Sequence, residues 1–298
     1  MNEIDKREFT NVEVFAIATM SAGKSTLINA LLSKKLLPSS NEACTATITK
    51  IINKNQKNYS AKAFSVKREL LYEEYDVSYE KMREWNNDEN ISEIEIYGII
   101  PFANTLNLTL IDTPGPNNSR NIEHRKILVK NLENVNNDTI ILYVLNATQL
   151  GITDDSNLLD KLIKKVGNNT KNIIFALNKL DCFNEDDDIS EIMVKVCEYL
   201  EKKGIENPNI FPIAALPALA IRSEPQNEVE KLHRNFYINI MNIDENLHLE
   251  KYSIKENKDF ELNNMSYEEK AFFHTGLHIL ENKIIESEKK NERNFYEI

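Results

Sequence analysis

The sequence predicts an α/β fold, a mostly parallel central sheet flanked by helices, and three observations carry that prediction. Apolar, strand-like runs alternate with amphipathic helical patterns along most of the 298 residues. The octet 18–25 lies between an apolar run and a helical pattern. Two further polar motifs, at 112–115 and 178–181, each close an apolar run, where open α/β sheets place their ligand-facing residues.

The strands are expected at 12–18, 46–52, 92–97, 106–112, 139–145, 171–178 and 209–213. Ile141, Tyr143 and Leu145 alternate with Leu142 and Val144, which are also apolar, as in a strand buried on both faces. Helices are expected at 24–33, 121–134, 154–165, 189–203, 217–222 and 267–289. The polar stretches 67–90 and 223–265 read as insertions on one domain spanning 1–298, the second with a helix-like beginning at 227–239. Trp85, the only tryptophan, sits among charges in the first and reads as a packing anchor.

Composition narrows the function classes. With 41% hydrophobic and 28% charged residues, this is an ordinary globular chain. A formal net charge of −11 argues against a nucleic-acid partner, since phosphate neutralisation needs a basic face. No stretch reaches the roughly 18 consecutive apolar residues of a membrane span, and the start lacks an apolar signal core, so a cytoplasmic location is expected. Cys44, Cys182 and Cys197 have no metal-like spacing and read as free thiols. His274 and His278, four apart in a helical stretch, have a spacing that could hold a metal; no H-E-x-x-H pattern accompanies them, and a satisfied structural pair is the stronger reading.

The octet Ala18-Thr19-Met20-Ser21-Ala22-Gly23-Lys24-Ser25 follows the pattern of a phosphate-binding loop between strand and helix. Backbone N–H groups from Ser21 to Thr26 and the helix N-terminus would hold phosphates, Lys24 would reach the β and γ phosphates, and Ser25 would ligate Mg²⁺. Ala18 stands where the pattern carries its first glycine, which is tolerable if that position keeps a strand conformation without positive φ. Asp112-Thr113-Pro114-Gly115 supplies a carboxylate for the outer shell of Mg²⁺ and a glycine N–H for the γ-phosphate. Without the loop, the same four residues would read as a turn.

Asn178-Lys179-Leu180-Asp181 separates guanine from adenine. The Asp181 carboxylate can accept from guanine N1–H and the exocyclic amine, while Asn178 and the Lys179 stem line the base. Adenine offers neither donor pattern. Ala214-Ala215, after the apolar run ending at Ile213, stands where a backbone N–H would complete recognition of guanine O6. Together the motifs predict a P-loop GTPase.

The chain resembles the dynamin superfamily, and specifically bacterial dynamin-like proteins. The resemblance rests on residues 20–32, on Leu37-Pro38 and 41–48, on Asp112 to Asn118, on Asn178 to Asp181, on 215–219 and on Thr275-Gly276-Leu277. It implies a G domain with dynamin-type insertions that hydrolyses GTP to GDP and phosphate. Pro116 stands where Ras-like GTPases carry a water-orienting Gln, so that device is absent. The resemblance assigns water positioning to Thr45 and Ser21, with Thr47 the alternative in a shifted register, and implies a monovalent cation (K⁺ or Na⁺) beside Mg²⁺. It also implies a nucleotide-dependent dimer of G domains that accelerates hydrolysis.

A stalk of long helical hairpins does not fit within these residues. The expectation is therefore a G domain only, with a separate chain or missing region supplying helical assembly and any membrane contact. Two rival readings remain: a nucleotide-gated interaction module with negligible hydrolysis, and a ribosome- or RNA-associated GTPase. The second needs a basic patch that this acidic chain does not show.

Overall fold

The structure, a computed structural model, describes residues 12–38, 47–103, 107–113, 139–167, 170–183, 187–253 and 262–296, with side chains of the last helix described as far as residue 287. Within these residues nine strands form one sheet: β1 (Val12–Ala18), β2 (Ile48–Asn53), β3 (Ser60–Phe64), β4 (Leu70–Glu74), β5 (Glu93–Gly98), β6 (Leu108–Asp112), β7 (Ile140–Asn146), β8 (Ile173–Asn178) and β9 (Asn209–Pro212). Their order is β4-β3-β5-β2-β6-β1-β7-β8-β9. The run β6-β1-β7-β8-β9 is parallel. β2 is antiparallel to β6 but parallel to β5, and β3 is antiparallel to both its neighbours. The sheet is thus mixed at one end and parallel where the motifs lie.

The helices are α1 (Lys24–Leu31), α2 (Tyr79–Asn86), α3 (Thr153–Val166), α4 (Ile189–Lys202), α5 (Ala215–Arg222), α6 (Glu228–Ile243), α7 (Tyr267–His274) and α8 (Leu277–Tyr296). Strand periodicity of two sorts the central residues onto two cores. Ile140, Leu142 and Val144 pack with Leu27, Leu31 and Leu280 on one face. Ile141, Tyr143 and Leu145 pack with Leu159, Val196 and Leu200 on the other. Helix α3 is also tied to the sheet by a buried polar bond: Asp155 accepts from the Tyr143 hydroxyl at 2.9 Å and from the Tyr199 hydroxyl at 3.0 Å.

Two stretches differ in detail from the expectation. The stretch read as an insertion at 67–90 carries a strand and a helix that extend the domain's sheet and core. Strand β4 pairs with β3 at the sheet edge, and α2 buries Met82 and Trp85. Ser78 caps helix α2, its side chain accepting from the Lys81 N–H. The pair β3 and β4 escapes the hydrophobic pattern because β3 buries only Ala61 and Ala63, while β4 is exposed along most of its length. The helix expected at 267–289 is two helices, broken at Gly276, whose φ is 73°. A Cβ on Gly276 would collide with the Pro212 carbonyl, so this turn packs directly against the end of β9. The helix expected at 121–134 lies outside the described residues.

Candidate nucleotide-binding site

Parallel pairing brings the carboxyl ends of β1, β6 and β8 to one edge of the sheet, and with them the three motifs. Ala18 closes β1 opposite Val144 and is not among the described residues with positive φ, so the missing glycine demands no special backbone there. The loop turns later. Ser21 is left-handed at φ 62° and Gly23 at φ 88°, and Gly23 leads directly into α1. A Cβ on Gly23 would meet the Asn178 side-chain amide, which explains a glycine at this position on both conformation and space. Ser21 is exposed and Ala22 buried, while Lys24, Ser25 and Thr26 are half-buried in the first turn of α1.

The Lys24 ammonium forms an ion pair with Asp112 Oδ1, at side-chain exposures of 13% and 15%. Ser25 Oγ donates a long hydrogen bond to Asp112 Oδ2, 3.4 Å. The hydroxyl of Thr113 donates to the Ala16 carbonyl at 2.7 Å, fixing the chain just past Asp112 against β1. Ammonium, hydroxyl and carboxylate therefore meet at the N-terminus of a helix, where backbone donors and the helix dipole favour a phosphate.

Asn178 joins two motifs. Its Nδ2 donates to the Ala22 carbonyl at 3.0 Å, and its Oδ1 accepts from the Ala215 N–H at 3.1 Å. The Ala214 N–H donates to the Thr275 carbonyl at 3.0 Å. Both alanine amides expected near guanine O6 are thus engaged in holding their own turn. Lys179 is left-handed at φ 70° and is followed by the short helical turn Leu180–Cys182, which presents Asp181. Burial holds the Asp181 carboxyl above the ordinary carboxylate range, against its own backbone N–H and the Lys179 charge, which pull the other way.

Thr45, Gly115 and Pro116 lie outside the described residues, as does Cys44. Thr47 is buried, and its hydroxyl donates to the Ile91 carbonyl at 3.3 Å.

Two contributors were not singled out from the sequence. Asn29, buried in α1, accepts from the Leu36 and Leu37 N–H groups at 2.9 and 2.7 Å and donates to the Leu37 carbonyl at 2.8 Å. It latches the chain at the start of the segment that carries Thr45. Tyr237 of α6 has its phenol pushed up first by burial and then by the nearby charge of Asp181.

The description of the Dynamin family matches residues 14–180, more than half of the chain. The chain belongs to the dynamin family. This dynamin-family chain is 29% identical over 233 residues to an uncharacterized protein in the xynA 3′ region of Caldicellulosiruptor sp. (strain Rt8B.4), covering 77% of this chain and 54% of that protein. It is 25% identical over 246 residues to a bacterial dynamin-like protein of Nostoc punctiforme, covering 73% of this chain and 34% of that one. A solved structure described as an oligomerised bacterial dynamin pair that senses and tethers membranes superposes with a TM-score of 0.58 at 15% identity, over 97% of this chain and 45% of that chain. The likeness shows the fold. The chain thus spans about half, or less, of these relatives. Among the described residues no helix is long and apolar enough to cross a membrane.

Proposed function

We propose that this dynamin-family chain binds GTP and hydrolyses it to GDP and phosphate with Mg²⁺, and that contact between two G domains accelerates the reaction. One observation carries the reading: Lys24, Ser25 and Asp112 meet at the mouth of α1, while Asn178 ties that loop to the turn carrying Asp181.

Ser25 and Asp112 offer a hydroxyl and a carboxylate, the hard oxygen donors that suit Mg²⁺, and their approach to within hydrogen-bonding reach fits a shared site. Bound there, Mg²⁺ would offset charge developing on the β and γ oxygens. Lys24 donates to the same phosphate oxygens and leaves its bond to Asp112 to do so. The backbone of 21–26 holds the phosphate chain, and the positive φ of Ser21 and Gly23 turns the loop about it. Asp181 accepts from guanine N1–H and the exocyclic amine, and Lys179 covers the base. Ser21 and Thr45 position the attacking water; a monovalent cation bound near Ser21 would supply the charge compensation that an arginine finger gives. Gly115 supplies its N–H to the γ-phosphate.

That a structural neighbour is an oligomerised bacterial dynamin pair supports assembly. Partners that supply helical assembly or membrane contact belong to the same proposal. The test is turnover per chain against protein concentration, in potassium and in sodium, with light scattering in GDP and in a GTP transition-state mimic. Turnover per chain rises with concentration, and a dimer forms with the mimic alone. Flat turnover in both salts contradicts stimulation by dimerisation.

A further inference from the structure

Away from the nucleotide site, two short helical turns, Glu245–Leu247 and Leu249–Tyr252, meet at His248 and lie against the end of α7. There the His248 and His274 rings stack in parallel, with centroids 3.5 Å apart and planes 4° from each other. Glu250 reaches the same place, its Oε1 lying 3.0 Å from His274 Nδ1, and the two side chains are only 11% and 7% exposed. One potential ligand atom from each of the three side chains falls within 4.8 Å of the others.

A second observation points to a missing partner. His248 Nε2 and Glu250 Oε2 are both buried without a hydrogen-bond partner, and so is the Ser253 hydroxyl in the same turn. Buried imidazole nitrogens and carboxylate oxygens ordinarily find one, because each left unpaired loses its hydration with nothing in return. Packing alone leaves both atoms unsatisfied. A divalent cation held between them would partner both, and two imidazoles with one carboxylate form a borderline-soft N/N/O donor set that suits Zn²⁺, with a water in the fourth position.

We propose that His248, Glu250 and His274 form a Zn²⁺ site that clips the 245–252 turns to the end of α7. Binding requires the two stacked rings to splay so that their nitrogen lone pairs converge. The consequence reaches the base-binding edge. His274 precedes Thr275, whose carbonyl accepts from Ala214, and Gly276 packs between the Pro212 carbonyl and Leu249. A clip at His274 therefore braces the turn that Asn178 also holds.

The test uses the full chain stripped of metal and titrated calorimetrically with ZnCl₂ alone, with Tm followed in parallel. The wild type takes up one equivalent with a rise in Tm, while His248→Asn and Glu250→Gln each lose at least about 10-fold in affinity and lose the Tm rise. Glu250→Gln keeps size and shape and guards against loss of the fold, checked by far-UV circular dichroism. Cys182→Ser with Cys197→Ser retains binding and excludes the two described thiols. No saturable uptake by the wild type, or equal uptake by the wild type and both ligand variants, overturns the site. Neither outcome bears on GTP hydrolysis.

Discussion

Asn178 donates to the carbonyl of Ala22 across 156 positions of sequence, at 3.0 Å and at 3% exposure. The loop 18–25 and the motif 178–181 are therefore one hydrogen-bonded unit, and Ala215 joins it through the same side chain. Asn178→Ala removes two bonds and strands a buried carbonyl and a buried N–H. The expected loss of stability is about 2–4 kcal/mol, read by urea denaturation, with GDP and GTP affinity falling together. An unchanged urea midpoint would show that the two motifs are positioned independently.

Asp181 gives a pH dependence whose sign follows from its burial. Its folded-state pKa lies above the ordinary carboxylate value, so the native state holds more protons than the unfolded state between the two. Its contribution to folding stability accordingly declines as pH rises through that interval. In the proposed role the carboxylate accepts from guanine only when ionised, so nucleotide affinity should be full above the raised pKa and fall as pH drops through it, beginning above the value of about 3.9 for a free Asp. Titration of a fluorescent GDP analogue into wild type and Asp181→Asn at each pH separates this group from the titrating phosphates. The variant should bind at least about 100-fold more weakly near neutrality and lack the wild-type acid limb.

Arg222 and Glu281 test a different part of the account, the packing of α5 on α8. Arg222 makes paired contacts to the Glu281 carboxylate, one of 3.0 Å, and its guanidinium lies 3.7 Å from the centre of the Phe272 ring. Glu281 is 4% exposed, and burial raises its pKa despite the Arg222 charge. Arg222→Ala leaves a buried, unpaired carboxylate and should cost about 3–5 kcal/mol, whereas Arg222→Met with Glu281→Leu should recover most of that loss. Removing the arginine also pushes the Glu281 pKa further up, so acidification should narrow the gap between the single variant and the wild type. Chemical denaturation at two pH values reads both effects.

Much of this organisation was legible in the residues, for reasons that differ by element. Strands β7 and β8 are continuous apolar runs, and β1 and β6 nearly so with Glu13 and Thr109 as interruptions, because both faces are covered, and the polar residues that follow stood out against them as motifs. Strands β3 and β4, at one end of the sheet, were not legible: β3 buries two alanines, and β4 presents Leu70, Leu71 and Tyr72 to solvent. The end of α7 looked helical straight through because Leu277, Leu280 and Ile284 continue the apolar spacing. Gly276 breaks it by packing on Pro212, a tertiary contact with no local signature. That break separates His274 from His278 onto two helices and stacks His274 on His248 instead. Residue type and spacing singled out Lys24, Ser25, Asp112, Asn178 and Asp181 as site candidates. They did not reveal the latch made by Asn29 or the approach of Tyr237 to Asp181, since both depend on how distant segments fold back.

The most direct test of the central claim is single-turnover phosphate release from GTP by the wild-type chain and by Lys24→Ala, each with Mg²⁺ and with the ion chelated. The expected result is Mg²⁺-dependent release by the wild type, slowed on the order of 1,000-fold by the substitution, since the ammonium acts on phosphate oxygens where charge develops. Equal release by the two proteins, or wild-type release indifferent to Mg²⁺, would contradict the assignment of Lys24, Ser25 and Asp112 to GTP hydrolysis.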